Sequence, residues 1–390
     1  MHILELPSFF PPYGGLFVLD QSKALARQGN TVRIAANVNI SARLSPQLYF
    51  RAHTSPHKVV MDGIEVMRKE FRGIPFFPKT CVTHWVKATE GLVDKYVENY
   101  GVPDIIHAHC CLWAGCAAMK AAAKYGVPYV VTEHLSSEIV LRDFGDADFL
   151  SWACRLAADA YRNAALVIPV SAELVDDLAP LYGTDYRWEA VSNTIDTDFF
   201  SYKKRRDMRG RDFRLCCIAN FVPGKGYDVL FDALGRYRRA TGDNVRLTVA
   251  GRFTDSAGAR ALAADRGVGD IVDFCGEVDK NGVLRILHDS DCLLLATRRE
   301  AQGLVLLEAM STGIPVVTTD CVPSSVRIPG GCHIVPTDDA AAMAEKLQFL
   351  RCENINDCPE ASVAVARLAS PEVVGKRLHG LFTGILGPSR

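Results

Sequence analysis

Short apolar runs alternate with longer amphipathic segments twice along this chain, and that alternation limits the folds open to it. In the first half the apolar runs fall at 3–6, 31–36, 104–109, 127–132 and 166–170. Residues 18–28 carry helical spacing, with Leu19, Ala24 and Leu25 on the inward side and Gly29-Asn30 as the stop, and residues 114–125 form an Ala-rich helix. A second series gives strands at 213–219, 245–250, 271–274, 292–296 and 315–318, separated by helices at 226–241, 257–266, 281–289 and 304–312. Strands separated by helices predict parallel sheets covered on both faces. The expected fold class is α/β: two Rossmann-like, doubly wound domains, whose ligands bind outside the carboxyl ends of the strands. Residues 1–202 form the expected first domain, the basic, patternless stretch 203–212 a linker, and 213–370 the second domain. A last helix spans 371–390.

The bulk numbers fit this reading. A chain of 390 residues is too long for one core. An apolar content of 48% and a charged content of 23% are those of a globular protein. The net charge of −1 gives no field to recruit nucleic acid. Thirteen cysteines, an odd count without paired spacing, read as reduced thiols in a cytoplasmic protein. The first residues read as a strand rather than a secretory leader, and no apolar run approaches the roughly twenty residues of a membrane span.

Chemistry concentrates at a few junctions. After the strand at 292–296, Glu300 sits in a polar turn, Gly303 opens an apolar helix, and Glu308 follows inside it. Free N–H groups at such a helix start attract anions, and carboxylates accept hydroxyl hydrogen bonds, so the pair suits a sugar nucleotide. Lys225, between Gly224 and Gly226 at another strand-to-helix junction, is a point charge suited to a diphosphate. It is not a Walker loop, because Gly226 stands where Ser or Thr is required. Gly14-Gly15 lets backbone approach an anion closely, and no third Gly follows to make a nicotinamide fingerprint. His134 ends the strand at 127–132, where an imidazole can bond a sugar hydroxyl. His107 and His109 share one strand face beside Cys110 and Cys111, but no third ligand of recognised spacing appears, so no metal site is assigned.

The segment from Glu300 through Glu308-Ala309-Met310 and Gly313 to Pro315-Val316-Val317 resembles the signature of the family-four retaining glycosyltransferases of the GT-B fold. The likeness runs over nearly the whole chain. It implies two domains facing a cleft, with the terminal helix crossing back to the first. It also implies metal-independent transfer of a sugar from a nucleoside-diphosphate sugar (UDP, GDP or ADP) to an acceptor hydroxyl, with retention and without a cofactor. By the same resemblance Glu300 binds donor-sugar hydroxyls, Glu308 the ribose, and His134 the transferred sugar. Gly14, Gly15, Lys225 and the backbone of Ala301, Gln302, Gly303, Leu304 and Val305 meet the diphosphate, and the region of Glu277 meets the base. The catalytic set implied is His134, Glu300 and Lys225. Asp196-Thr-Asp198 matches a structural or cleft-lining loop of the family rather than a metal-binding Asp-x-Asp.

One departure stands out: the family's arginine is replaced by Asn220. Arg252, ending the next strand, is the expected compensating cation. The alternatives are a non-catalytic sugar-nucleotide binder and a sugar-nucleotide epimerase on the same fold. The acceptor, whether carbohydrate, lipid-linked or a small molecule, is not legible, and the pathway implied is polysaccharide, glycolipid or glycoconjugate assembly. The aromatic stretch 71–79, with Trp85 nearby, leaves peripheral contact with the inner face of a membrane open, although a packed loop is favoured.

Overall fold

The computed structural model describes residues 1–41, 46–73, 77–143 and 146–387. The chain divides into two compact units, Met1–Thr194 with Pro371–Arg390, and Ile195–Ser370.

The first unit carries seven strands: β1 (His2–Pro7), β2 (Thr31–Ile40), β3 (His57–Met61), β4 (Ile64–Arg72), β5 (Ile105–His109), β6 (Tyr129–Glu133) and β7 (Leu166–Pro169). They lie in the order β3-β4-β2-β1-β5-β6-β7. All neighbours are parallel except β3, which pairs antiparallel with β4. This edge hairpin was not expected from the alternation, because its two short runs are separated by a tight Asp62-Gly63 turn rather than by a helix. One face of the sheet, carrying Ile3, Ile105, Val130 and Ile168, is covered by the helices Leu16–Arg27 and Pro371–Leu386. The terminal helix presents Val374, Leu378 and Phe382 at four-residue spacing, all fully buried. Each such side chain is worth about 1.5–3 kcal/mol of burial, enough to fix the end of the chain on this unit.

The second unit carries β8 (Phe213–Ile218), β9 (Val245–Ala250), β10 (Val272–Phe274), β11 (Cys292–Leu295), β12 (Val316–Thr319) and β13 (Cys332–Val335). They form an all-parallel sheet in the order β10-β9-β8-β11-β12-β13. The boundary falls earlier than residue 202: Ile195 and Phe200 already lie in this unit's core.

Residues 203–212 belong to the second unit and, although most of them are exposed, are tied onto it. Met208 is fully buried in the same core. Arg205 donates to the carbonyls of His288 and Thr312 at 2.8 and 2.9 Å. Arg211 grips the buried carboxylate of Asp291 with both terminal nitrogens at 2.6 and 2.8 Å. Long basic side chains can bury their stems and satisfy carbonyl groups, so a basic composition does not leave a segment unanchored.

In the aromatic stretch 71–79, residues 74–76 lie outside the described residues. Phe77 is exposed, while Trp85 is buried and its indole N–H donates to the Asn37 carbonyl at 2.9 Å. Among the described residues no helix is long and apolar enough to cross a membrane.

Candidate active site

Each sheet has one place where the strand order reverses, and open parallel sheets bind ligands beyond the carboxyl ends of the strands at that point. In the second unit it lies between β8 and β11. The loops leaving these two strands carry Lys225 and Glu300. They meet: Lys225 Nζ lies 2.6 Å from Glu300 Oε2, both side chains being largely shielded. The backbone explains why. The Arg298 amide donates to the Gly224 carbonyl at 2.8 Å, Arg298 Nη1 to the Pro223 carbonyl at 2.7 Å, and the Thr297 hydroxyl to Gly224 and Arg299. Arg298 is itself held by Asp228 and Asp338. Gly226, at φ 62°, presses against the end of β11 so closely that a β-carbon would stand 1.9 Å from the Ala296 oxygen.

Beyond this pair, Gly303 is left-handed and opens the helix Leu304–Ser311. Gln302 and Gly303 are buried, while Ala301, Leu304, Val305 and Glu308 are partly exposed. Amides at a helix start have no carbonyl partner a turn earlier within the helix, which makes the opening of Leu304–Ser311, next to Glu300, suited to an anion.

Asn220, exposed after β8, accepts the backbone N–H of Arg252 at 3.0 Å, and Arg252 Nε pairs with Glu277 at 3.1 Å. These three expected site residues are therefore one cluster. Asp196 is a turn residue: its carboxylate accepts the Phe199 amide at 3.3 Å and pairs with Lys280 at 2.7 Å.

In the first unit the strand order reverses between β1 and β5. The loop after β1 ends in Gly14 and Gly15, both left-handed, and Gly15 caps the helix Leu16–Arg27. A β-carbon at Gly15 would lie 2.3 Å from the Phe9 oxygen, so no other residue fits the turn. Phe17 in the first helical turn stacks on His134, with ring centroids 3.8 Å apart. The loop bearing His134 is fixed from below by Glu133. Its carboxylate accepts the amides of His134, Leu135 and Cys111 at 2.9, 3.0 and 2.9 Å and the Tyr161 hydroxyl at 2.8 Å.

Sequence reasoning missed Glu5. The register sets Glu5 of β1 opposite His107 of β5, and His109 lies two residues along the same face. The fully buried Oε2 of Glu5 stands 2.7 Å from His109 Nε2 and 2.9 Å from His107 Nδ1. The His107 contact is close, but its Nδ1 makes no well-formed hydrogen bond. His107 Nε2 instead meets the Thr132 hydroxyl at 2.7 Å. Glu5, His107 and His109 thus gather three groups able to ligate a metal, all within 4.8 Å of one another. Ligand atoms around a tetrahedral zinc stand about 3.3 Å apart, as follows from bonds of roughly 2.0 Å, so contacts of 2.7 and 2.9 Å are too short for a pair of zinc ligands, and the 2.7 Å one is a hydrogen bond. An acid inside the apolar run Ile3-Leu-Glu-Leu6 was the only sequence signal.

Burial opposes ionisation of Glu5, but the two imidazoles outweigh it and hold the carboxyl down at about 2. Burial, then the charge of His107, pushes His109 down to about 4 against the pull of Glu5. Burial and both neighbouring imidazoles lower His134 as well. A stability trend follows. Between about 6.5 and 4 an unfolded imidazole binds a proton that folded His109 refuses, so stability falls as pH drops through that window. Below it, from 4.5 toward 2, the unfolded Glu5 carboxyl takes a proton its folded form refuses, and the loss continues. The His109 part is on the order of 3 kcal/mol by linkage. Unfolding midpoints recorded from pH 7.5 to 4 should fall steeply in the wild type and less in His109→Asn; equal slopes would contradict this.

Residues 14–199 match the family model described as Glycosyltransferase Family 4, and residues 212–352 match that described as Glycosyl transferases group 1. The chain belongs to glycosyltransferase family 4. This glycosyltransferase is 29% identical over 281 residues to a glycogen synthase of Mycobacterium tuberculosis, covering 68% of this chain and 67% of that one. It is 28% identical over 349 residues to a D-inositol 3-phosphate glycosyltransferase of Xylanimonas cellulosilytica, covering 84% and 78%. Among solved structures it resembles sucrose-phosphate synthase from Thermosynechococcus elongatus, with a TM-score of 0.77 at 16% identity over 99% of both chains. Anabaena HepE in complex with UDP gives a TM-score of 0.71 at 17% identity, covering 98% of this chain and all of that one. The glycosyltransferase family is thus shared with relatives, and the GT-B fold with structures of far lower identity.

Proposed function

We propose that this family 4 glycosyltransferase moves a sugar from a nucleoside-diphosphate sugar to an acceptor hydroxyl with retention at the anomeric carbon. The reading rests above all on the contact between Lys225 and Glu300, a cation for the departing diphosphate beside a carboxylate for sugar hydroxyls. Departure of the diphosphate concentrates negative charge. In this reading Lys225 and the opening amides of the helix Leu304–Ser311 stabilise that charge, and charges and dipoles held by the fold do so at little reorganisation cost. Glu300 orients the sugar, and Glu308, within the same helix, holds the ribose. Gly14 and Gly15 meet the diphosphate and His134 the transferred sugar. No cofactor or metal is assigned a role, since Lys225 and the helix dipole supply the positive charge. Arg252, with Asn220 beside it, provides a second cation once a phosphate displaces its exposed partner Glu277. The free thiols, most of them buried, favour a reducing, cytoplasmic setting.

The roles of the two glutamates separate in binding and turnover. Glu308→Gln should weaken nucleoside-diphosphate affinity roughly tenfold while leaving the transfer step within a few-fold, as loss of one charge-assisted hydrogen bond implies. Glu300→Gln should do the reverse. Calorimetric titration of the nucleotides, paired with single-turnover transfer rates, reads both; equal and negligible effects would remove the assignment.

A further inference from the structure

A buried carboxylate is a poor way to stabilise a strand. Charge taken out of water costs several kcal/mol unless hydrogen bonds and counter-charges compensate, and a leucine would serve the core better. Glu5 nevertheless lies fully buried on the sheet face beneath the helices Leu16–Arg27 and Pro371–Leu386, with its Oε1 unpartnered and Phe382 packed edge-on against His107. Its bonded oxygen begins a chain. Glu5 Oε2 meets His109 Nε2 at 2.7 Å, and His109 Nδ1 meets His134 Nε2 at 3.2 Å. The chain ends at the residue stacked on Phe17, next to the Gly14-Gly15 turn.

Proton bookkeeping fixes the direction of this chain. A carboxylate can only accept, so His109 must donate from Nε2. A neutral imidazole has one N–H, so Nδ1 of His109 is then an acceptor. His134 must therefore donate to it from Nε2, and its own Nδ1 is left as a lone pair. That nitrogen is buried and lacks a well-formed hydrogen bond, although Asn193 faces the ring. A buried acceptor left unsatisfied calls for an explanation, and an incoming donor group supplies one.

We infer that Glu5 is a positioning residue for the sugar transfer: through His109 it fixes His134 in the Nε2–H tautomer, so that His134 can accept a hydrogen bond from a hydroxyl of the donor sugar and cannot donate one. This rests on the reading that His134 serves the donor sugar. The consequence is selective. An accepting His134 favours a sugar hydroxyl, whose proton it takes as a hydrogen bond, over a phosphate oxygen, which would need a donor. Glu5 does not touch substrate; it acts by holding one proton on the right atom of a ring two bonds away, as the buried acid of a Ser-His-Asp triad holds its histidine.

The first test needs no substitution. Histidines labelled with nitrogen-15 report their tautomer by NMR, and His134→Gln identifies the His134 signals by their loss. The expected result is a neutral His134 protonated at Nε2; protonation at Nδ1 in the wild type overturns the inference outright. The second test compares Glu5→Gln, Glu5→Asp and His134→Ala in transfer assays. Glu5→Gln should lower kcat roughly 10- to 100-fold, the range for loss of a tautomer-fixing partner, with donor KM within about threefold and a mixed His134 tautomer. Glu5→Asp, which keeps the charge, should restore part of kcat. Unchanged kcat in Glu5→Gln alongside a large loss in His134→Ala would overturn the role of Glu5 alone. Unchanged activity in His134→Ala would instead overturn the reading of His134 on which it rests.

Discussion

Lys225→Ala is expected to slow sugar transfer by about 100- to 1,000-fold, the cost of removing one preorganised charge from a developing anion. The side chain is already in place: its ammonium sits 2.6 Å from Glu300 in a loop stitched to the turn after β11. It need not be gathered from solvent when the diphosphate departs. The loss should fall mainly on kcat, because the charge it opposes grows in the transition state, with nucleoside-diphosphate affinity reduced to a smaller degree. Lys225→Ala also strands the Glu300 carboxylate, so Lys225→Met with Glu300→Gln separates that effect from the loss of the cation. Arg252→Ala provides the comparison. Its guanidinium is half exposed and tied to the exposed Glu277, so its loss should cost less than tenfold. Steady-state kinetics on the three variants decides the order; an Arg252→Ala defect equal to that of Lys225→Ala would make Arg252 a primary rather than an auxiliary cation.

Gly226→Ala should destabilise the second unit by roughly 4 kcal/mol or more, the range reached when strain and overpacking combine. Two costs add at this position. The backbone is left-handed, at φ 62°, and the new methyl group would overlap the Ala296 carbonyl, 1.9 Å away, with no flexible side chain to yield. Gly242 supplies the control. It has nearly the same φ, 66°, with nothing within 4 Å of an added β-carbon, so Gly242→Ala carries only the conformational cost of about 1 kcal/mol. For a unit of this size the difference corresponds to a drop of about 10 °C in the unfolding midpoint. Differential scanning of the two variants measures it. Because Gly226 also wedges Lys225 against the β11 turn, folded Gly226→Ala protein should be impaired in turnover as well. Matching midpoints for the two variants would show that the loop moves aside freely.

Much of this was legible in the chain, and the residues show where legibility stops. Apolar runs located ten of the thirteen strands among the described residues, because a parallel strand covered on both faces is largely apolar; β3, β4 and β13 were not among them. The two glutamates, Lys225 and the glycine turns stood out by residue type and by their place at strand-to-helix junctions. What the chain did not disclose is adjacency. Lys225 and Glu300 touch because β8 and β11 are neighbours in the sheet, which no local spacing records. Glu5 meets His107 and His109 across about a hundred residues for the same reason. The β3–β4 hairpin escaped because β3 has no buried residue and a tight turn, not a helix, joins the two strands. The anchoring of the basic segment 203–212 escaped because composition cannot tell an arginine in water from one whose head binds a carbonyl. Asn220 shows the converse. Its identity signalled a missing charge, and only its bond to the Arg252 amide reveals that the position still serves the same cluster.

The central claim is that this site cleaves the bond between a sugar and a nucleoside diphosphate. The most direct test incubates the wild type and Lys225→Ala with UDP-, GDP- and ADP-sugars in the presence of a chelator and follows release of the free nucleoside diphosphate. Slow release from one donor class by the wild type, nearly abolished in Lys225→Ala, is the predicted result. Absence of both binding and release for every donor, from folded wild-type protein, would contradict it.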